Sequence, residues 1–424
     1  MIRGFMTTTS RTALLLAAGL LVSGYAVGPA KAADLGGGSC CGDLEERVAE
    51  LEATTARKGN RVVSLQIYGQ VNRGLLIWDD GTNSDAYVVD NNVSSTRFGF
   101  LGKATMAPGW TAGYNIELEV RDASSDEVDQ THDDASSALV PTVDSVRTRL
   151  ANWYIESTRL GRVTVGQAST ASDGISEISL HNNVSGTVGS TAYAKNFGVL
   201  GTADLTSVDT ARWGDIASNL SGLGREDVIR YDTPAIMGFI LSTSWGDNDL
   251  WDVALRFTRE WNSIRMAGGV SYAHSGTGSF IVDNDQIAGS ISVMHMPTGL
   301  FVTFSAAEKE YKAIRDDAQY WGTQFGVERK WLPYGKTTIF GEYASFDGDF
   351  DNRSSAAAAQ AATLVGQSAF DGAEASKWGF SITQTFDSAA LDIYAHAEFW
   401  DADGIATVNG GELSIIMLGS RIKF

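Results

Sequence analysis

Long apolar runs are missing from this 424-residue chain. That absence excludes membrane-spanning helices, which need about 20 mostly apolar residues in succession. The nearest approach, Thr12 to Gly28, is short and broken by glycine and serine. Only two cysteines occur, the adjacent Cys40 and Cys41, so a disulfide scaffold is excluded. Neighbouring cysteines bridge one another badly, which makes pairing between chains their natural oxidised product. A lipid-anchor site is disfavoured too, because Gly37-Gly38-Ser39 offers no apolar residue before Cys40. Histidine is scarce at 5, and no His-Glu-x-x-His, Cys-x-x-Cys or Gly-x-Ser-x-Gly occurs. Gly335-Lys336-Thr337 ends like a phosphate loop, but Lys330 stands where its first glycine belongs. Basic residues are outnumbered, 32 against 51 acids, for a formal charge of −19. Nucleic acid is therefore not an expected partner, since phosphate binding needs a basic face.

What is present falls into three zones. Arg3 and Arg11, a short apolar core and Ala30-Lys31-Ala32 describe a secretory signal peptide over 1–32. Cleavage after Ala32 would remove Arg3, Arg11 and Lys31 and no acid, taking the charge from −19 to −22. Over 33–61 come a spacer, Gly36-Gly37-Gly38, and a helical signature from Asp43 to Arg57. Asp43 with Glu46 makes an N-cap pair, and Cys41, Leu44, Val48, Leu51 and Thr55 fall on an a/d seam. A lone helix of about 15 residues is marginal in water. Self-association as a coiled coil through Leu44, Val48 and Leu51 would rescue it; a solvated charged helix is the plainer alternative.

From Val62 to Phe424 the period changes to 2. Ala112, Tyr114, Ile116, Leu118 and Val120 alternate with Asn115, Glu117, Glu119 and Arg121. Leu391, Ile393, Ala395, Ala397 and Phe399 alternate with Asp392, Tyr394, His396 and Glu398. Such alternation means half-buried strands whose charged face meets water. About 16 stretches recur, each of roughly 9–11 residues, the length a tilted strand needs to cross hydrocarbon. Ser145 to Ser157 mixes its parity, as a bulge would. Short turns such as Ala107-Pro108-Gly109, Thr233-Pro234 and Met296-Pro297-Thr298 alternate with long polar segments. The long segments are Asp79 to Ser95, Asp122 to Asp144, Gln167 to Gly224, Asp347 to Ala375 and Asp401 to Gly411. A membrane barrel has reason to gather long loops at one end, and a soluble sandwich has none. Trp110, Trp261, Trp331 and Tyr334 at short turns, with Trp78, Trp153, Trp245, Trp251 and Trp400 near strand ends, read as two interfacial girdles. Ile416, Leu418, Ile422 and Phe424 share one parity, and a terminal aromatic such as Phe424 suits a membrane interface. The fold expected is all-β: a transmembrane antiparallel β-barrel of about 16 strands over 62–424, preceded by a short periplasmic coiled-coil helix.

Several segments then look familiar in order. Gly161-Arg162-Val163-Thr164-Val165-Gly166-Gln167 resembles the strand before a porin constriction loop. Val228-Ile229-Arg230-Tyr231-Asp232-Thr233-Pro234 resembles the strand and turn after it. With Phe424 and the short Leu44–Leu51 coiled coil, the chain resembles the trimeric outer-membrane porins, in particular those of alpha-proteobacteria. That resemblance implies a homotrimer embedded in outer-membrane lipid, passive diffusion of small hydrophilic solutes and ions, no cofactor and no catalysis. It also implies that the segment around 168–200 folds inward as a constriction loop. Asp173 and Glu177 would be its acids, with His181 nearby, and Arg97, Arg121, Arg147 and Arg149 the facing basic wall. An acidic loop opposite a basic wall sets a transverse field that orders water and disfavours apolar solutes. The acidic excess suits a pore mouth that attracts cations.

Other chemistry is weaker. His396, Glu398 and Asp392 share a strand face, yet no nucleophile is fixed beside them, so a polar pore wall is the better reading. Asp347-Gly348-Asp349-Phe350-Asp351 spaces oxygens like part of a calcium loop but lacks the distal glutamate, leaving no metal site to expect. A sugar-selective channel would want a line of lumenal aromatics, and only Tyr68 and Tyr394 offer themselves. A membrane hydrolase lacks an assembled Ser and His. A surface adhesin is allowed by the long loops and would not conduct.

Overall fold

The computed structural model describes residues 63–133, 146–199, 212–276, 283–312, 317–348, 350, 372–404 and 411–424. The expected signal peptide, the glycine spacer, Cys40 and Cys41, and the seam of Leu44, Val48 and Leu51 lie outside the described residues. Among the described residues, no helix is long and apolar enough to cross a membrane.

Alternating side chains build one continuous antiparallel sheet. Its strands are β1 (Gln66–Asp79), β2 (Ser84–Asp90), β3 (Arg97–Ala107), β4 (Trp110–Val120), β5 (Val146–Ser157), β6 (Gly161–Ser169), β7 (Arg225–Asp232), β8 (Phe239–Gly246) and β9 (Trp251–Trp261). They continue as β10 (Ile264–Ser275), β11 (Asn284–His295), β12 (Leu300–Tyr311), β13 (Ala318–Leu332), β14 (Gly335–Asp347), β15 (Glu374–Phe386), β16 (Leu391–Asp403) and β17 (Gly411–Lys423). β1 pairs with both β2 and β3, each strand from β3 onward pairs with the next, and β17 returns to pair with β1. The sheet therefore closes on itself, which is what a bilayer demands of strands. Phe424 exchanges both backbone hydrogen bonds with Gly69, at 3.0 Å each, and its ring lies across that glycine.

The staves number sixteen, because β2 and β3 are successive halves of one. Both run antiparallel to β1, β2 along Arg73–Asp79 and β3 along Gln66–Gln70. Between them residues 91–96 swing inward. Asn91 donates to the Tyr394 hydroxyl at 2.7 Å and accepts from the Val93 N–H at 2.9 Å. Asp79 to Ser95, expected as a loop, thus contains a strand. Its alternation is too short to register, with Tyr87 and Val89 inward and Val88 outward. The mixed parity of the fourth stave has the anticipated form. Glu117 pairs with Leu150 and Leu118 with Thr148, so Arg149 is the extra residue of a bulge.

The expected short turns fall between strands at one end. At the other, some connections are long, though Asp247 to Leu250 spans only four residues. Trp110, Trp153, Trp245, Trp251, Trp261, Trp331 and Tyr334 are all exposed, as interfacial girdles require. Trp78 and Trp400, each 2% exposed, do not belong to any outer girdle. These two point inward, Trp78 against Phe197 (5.5 Å between rings) and Trp400 against Trp213 (5.5 Å). Strand-end position alone does not say which face an indole occupies.

Candidate pore constriction

What covers those indoles is the segment between β6 and β7, which folds into the barrel. It runs well past the expected 200, through a single helical turn, α1 (Trp213–Ile216), to Gly224. Its two ends cross: the Thr170 N–H donates to Gly224 O at 2.9 Å and the Gly174 N–H to Ser221 O at 2.8 Å. Gly222, at φ +97, sits so close to Ser172 that a Cβ would come within 2.3 Å of its carbonyl oxygen. The underside of the loop is apolar. Ile175, Val184, Val188, Tyr193, Phe197, Trp213 and Ile216 are all buried, most of them in one cluster with inward-facing Leu76, Tyr320 and Phe346. Each such side chain taken from water stabilises the docked loop by roughly 1.5–3 kcal/mol.

Polar anchors fix where the loop lies. The Asp252 carboxylate on β9 accepts from the Ser172 N–H (2.7 Å), Ser172 Oγ (2.6 Å) and the Ala171 N–H (3.2 Å). Arg256, four residues along the same strand, donates to Ala171 O and Asp173 O. Further on, Asn182 Nδ2 donates to Asp392 (2.9 Å), and Ser185 meets Ser381. Lys377 on β15 donates to Ser190 O at 2.7 Å. That ammonium is 1% exposed and also lies 2.6 Å from Glu342 and 3.6 Å from Glu398. The loop is thereby held against β8–β16, leaving the bore open towards β3–β7.

A cavity of about 830 Å³ remains there, and all six expected constriction residues line it: Asp173 and Glu177 on the loop, Arg97, Arg121, Arg147 and Arg149 on the barrel side. The arginines are oriented by carboxylates behind them. Arg147 Nε donates to Glu119 at 2.6 Å, Arg149 bonds Glu117 (2.9 Å) and Glu119 (3.1 Å), and Arg97 Nε lies 3.8 Å from Glu117. The bulge is what lets Arg149 join this row. Arg121, just beyond β4, differs: Asp126 (2.9 Å) and Glu127 hold it in a buried triad, so its charge is neutralised locally. The Asn219 side chain donates to Glu177 at 2.9 Å. Burial pushes the Glu177 carboxyl up, against that hydrogen bond. Burial likewise raises Glu127, with Asp126 adding to it.

His181 stays out of the cavity. It stacks on Phe301 at 4.0 Å, and burial brings its imidazole down to about 4, so it is neutral at pH 7. Tyr394, expected in the lumen, is covered, its hydroxyl tied to Asn72 and Asn91. Tyr68 donates to Glu117 at 2.8 Å. His396 and Glu398 lie beneath the loop, and Asp392 pairs with Arg421 at 2.8 Å. Glu342, His396 and Glu398 place donor atoms within 4.8 Å of one another, but the Lys377 ammonium already supplies the cation there. Of the acidic calcium-like segment, Asp349 and Asp351 lie outside the described residues. Sequence reading missed Arg225 and Lys195, which also line the cavity, and the anchors Asp252, Arg256 and Lys377. A lysine inside an alternating strand, on the parity of Ser381 and Thr383, was the available signal.

A closed barrel whose polar bore is narrowed by an infolded loop defines a channel protein of the outer-membrane type. The Gram-negative porin family model matches residues 17–405, and the chain belongs to that family. No curated protein matches it in sequence. Among solved structures it is similar to an anion-selective porin from Comamonas acidovorans, at 12% identity and TM-score 0.54, over 85% of this chain and 100% of that one. The channel DcaP of Acinetobacter baumannii is similar at 10% identity and TM-score 0.54, over 87% and 99%. A loop-deleted form of OmpT, an outer membrane protein of Vibrio cholerae, is similar at 13% and 0.52, over 86% and 100%. At such identities the likeness establishes the fold, and the family places the barrel among outer-membrane pores.

Proposed function

We propose that this protein is a general diffusion porin: a passive, non-enzymatic pore of the outer membrane for small hydrophilic solutes and ions, working without a cofactor. The observation that carries this reading is the loop with Asp173 and Glu177 facing Arg97, Arg147 and Arg149 across one cavity. A field across so narrow a passage holds water in order and makes entry costly for apolar solutes, with no step that needs a reaction.

A weak preference for cations belongs to the same proposal. Six basic side chains line the cavity against Asp126, Glu127, Asp173 and Glu177, and Glu117 and Glu119 directly behind bring the carboxylates to six as well. With the constriction balanced, the acid-rich remainder of a chain of charge −19 decides at the mouths. A homotrimer is supported by Arg73, which shares the outward face of Val71 and Leu75 on β1 and pairs with Asp122 at 3.0 Å. A charge on a lipid face near mid-barrel costs roughly 2–4 kcal/mol, which a neighbouring copy would relieve. Export by a signal peptide over 1–32, a coiled coil through Leu44, Val48 and Leu51, and an alpha-proteobacterial origin complete the proposal. Liposome swelling tests it: sugars should enter at rates that fall smoothly with size. Entry of one sugar far out of size order would replace the general pore with a selective one.

A further inference from the structure

The outward face of the barrel carries a feature that the bore does not use. One cross-strand row reads Phe325, Gly341, Phe380, Ala397 and Ile416 over β13 to β17, so large and small side chains alternate. Phe325 and Phe380, 61% and 56% exposed, stand as ridges on either side of Gly341. A Cβ on that glycine would touch both rings at 3.4 Å. With Val327, Ile339 and Ala395 in the next row, they enclose an outward-opening apolar groove of about 640 Å³. Its two polar lining residues, Ser381 and His396, direct their side chains to the inner face of the sheet, against Ser185 and Tyr193 of the loop. Ligand pockets commonly fall between about 300 and 1,000 Å³.

A cation waits at one end. Arg329 lies two residues beyond Val327 towards the short turn, on the same face and about 7 Å along the strand. Its side chain is exposed and has no ion pair or hydrogen bond among the described residues. Its neighbours are provided for: Lys330 lies 3.4 Å from Asp387 and Lys336 2.7 Å from Glu328. Trp331, 53% exposed, follows in the irregular stretch between Arg329 and Leu332, where an amphipathic ring suits the level of the lipid headgroups.

We infer that this groove and Arg329 bind one phospholipid of the surrounding bilayer, an acyl chain lying between Phe325 and Phe380 and the phosphate on the guanidinium. Charge and apolar surface stand at the spacing of a lipid's own headgroup and tail. A lipid with its sugars at the long-loop end meets the wrong end of the groove. A second copy of the chain is proposed at β1, where Arg73 and Asp122 face outward; β1 borders β17 at one edge of the groove, and the Phe325 and Phe380 ridges on β13 and β15 stand further round the wall. The inference rests on the barrel lying in a bilayer and is indifferent to whether the bore conducts.

Native mass spectrometry of the full protein in detergent, titrated with dipalmitoyl phosphatidylglycerol, tests it. One adduct per chain should persist under activation that strips further copies. Gly341→Leu, which fills the groove, and Arg329→Gln, which leaves the apolar surface intact, should each cut retention at least tenfold. Dipalmitoylglycerol, lacking the phosphate, should be retained at least tenfold less by the wild type. Heat-modifiable migration and unchanged channel conductance establish that the variants are folded. Retention equal to wild type in either variant overturns the inference. So does a loss of oligomer mass in Gly341→Leu with lipid retention unchanged, which would assign the groove to a protein neighbour. Loss of conductance in the wild type would sink the porin reading and leave the lipid result standing.

Discussion

Replacing Asp252 by alanine should release the entry of the constriction loop and leave the barrel closed. The carboxylate is fully buried and takes three hydrogen bonds from the loop, two from Ser172 and one from Ala171, besides those from Ser244 on β8. A hydrogen bond to a charged group contributes about 1.5–3 kcal/mol, and three sharing one acceptor are not additive. A loss of about 3–6 kcal/mol in docking the loop entry follows. Asp173 is the next residue and Glu177 four further on, so the acids of the constriction loosen first. Downstream, Asn182, Ser185 and Lys377 still hold. Single-channel recording should therefore give larger mean conductance and greater open-channel noise, at a barrel stability close to wild type. Asp252→Asn keeps one acceptor oxygen and should fall between. Conductance and noise identical to wild type in a folded Asp252→Ala protein would refute the assignment of Asp252 as the anchor.

Four further outcomes follow from the contacts of the loop and the wall. Asp173→Asn with Glu177→Gln should shift the reversal potential in a salt gradient towards anions, since six basic groups would then face two fewer lining acids. Because burial raises Glu177, acidification should weaken the wild type's cation preference above the ordinary glutamate range, and Glu177→Gln should lack that step. Gly69→Val should lower the temperature at which the barrel loses its heat-modifiable gel shift, because a Cβ there meets the Phe424 ring at 2.4 Å and the Arg97 carbonyl at 2.8 Å. Lys377→Met should cost about 3–5 kcal/mol in urea unfolding by leaving Glu342 and Glu398 buried without their cation, with partial recovery when Glu342→Gln is added.

The barrel wall was legible because its period is two and its turns carry their own residues; Ala107-Pro108-Gly109 and Met296-Pro297-Thr298 need no tertiary context to be read. Even the bulge at Arg149 left a trace as broken parity. The first half of the second stave was not legible, since β2 offers only seven residues and the break at 91–96 is stabilised by partners far away in sequence, Tyr394 among them. Of the site, the loop acids and wall arginines could be named from the resemblance and the strand parity. Their carboxylate backing, the neutralised state of Arg121 and the anchors Asp252 and Lys377 could not. Each depends on which strand the loop happens to lie against, and nothing local encodes that. Trp78 and Trp400 make the same point: an inward indole is favourable only because Phe197 and Trp213 arrive to cover it.

The claim beneath all of this is that the closed wall from β1 to β17 encloses a continuous aqueous path. Purified, heat-modifiable protein added to a planar lipid bilayer measures it directly. Discrete current steps, with a conductance that grows in near proportion to salt concentration, are the expected result. A folded barrel that inserts and passes no current at any salt concentration would contradict it.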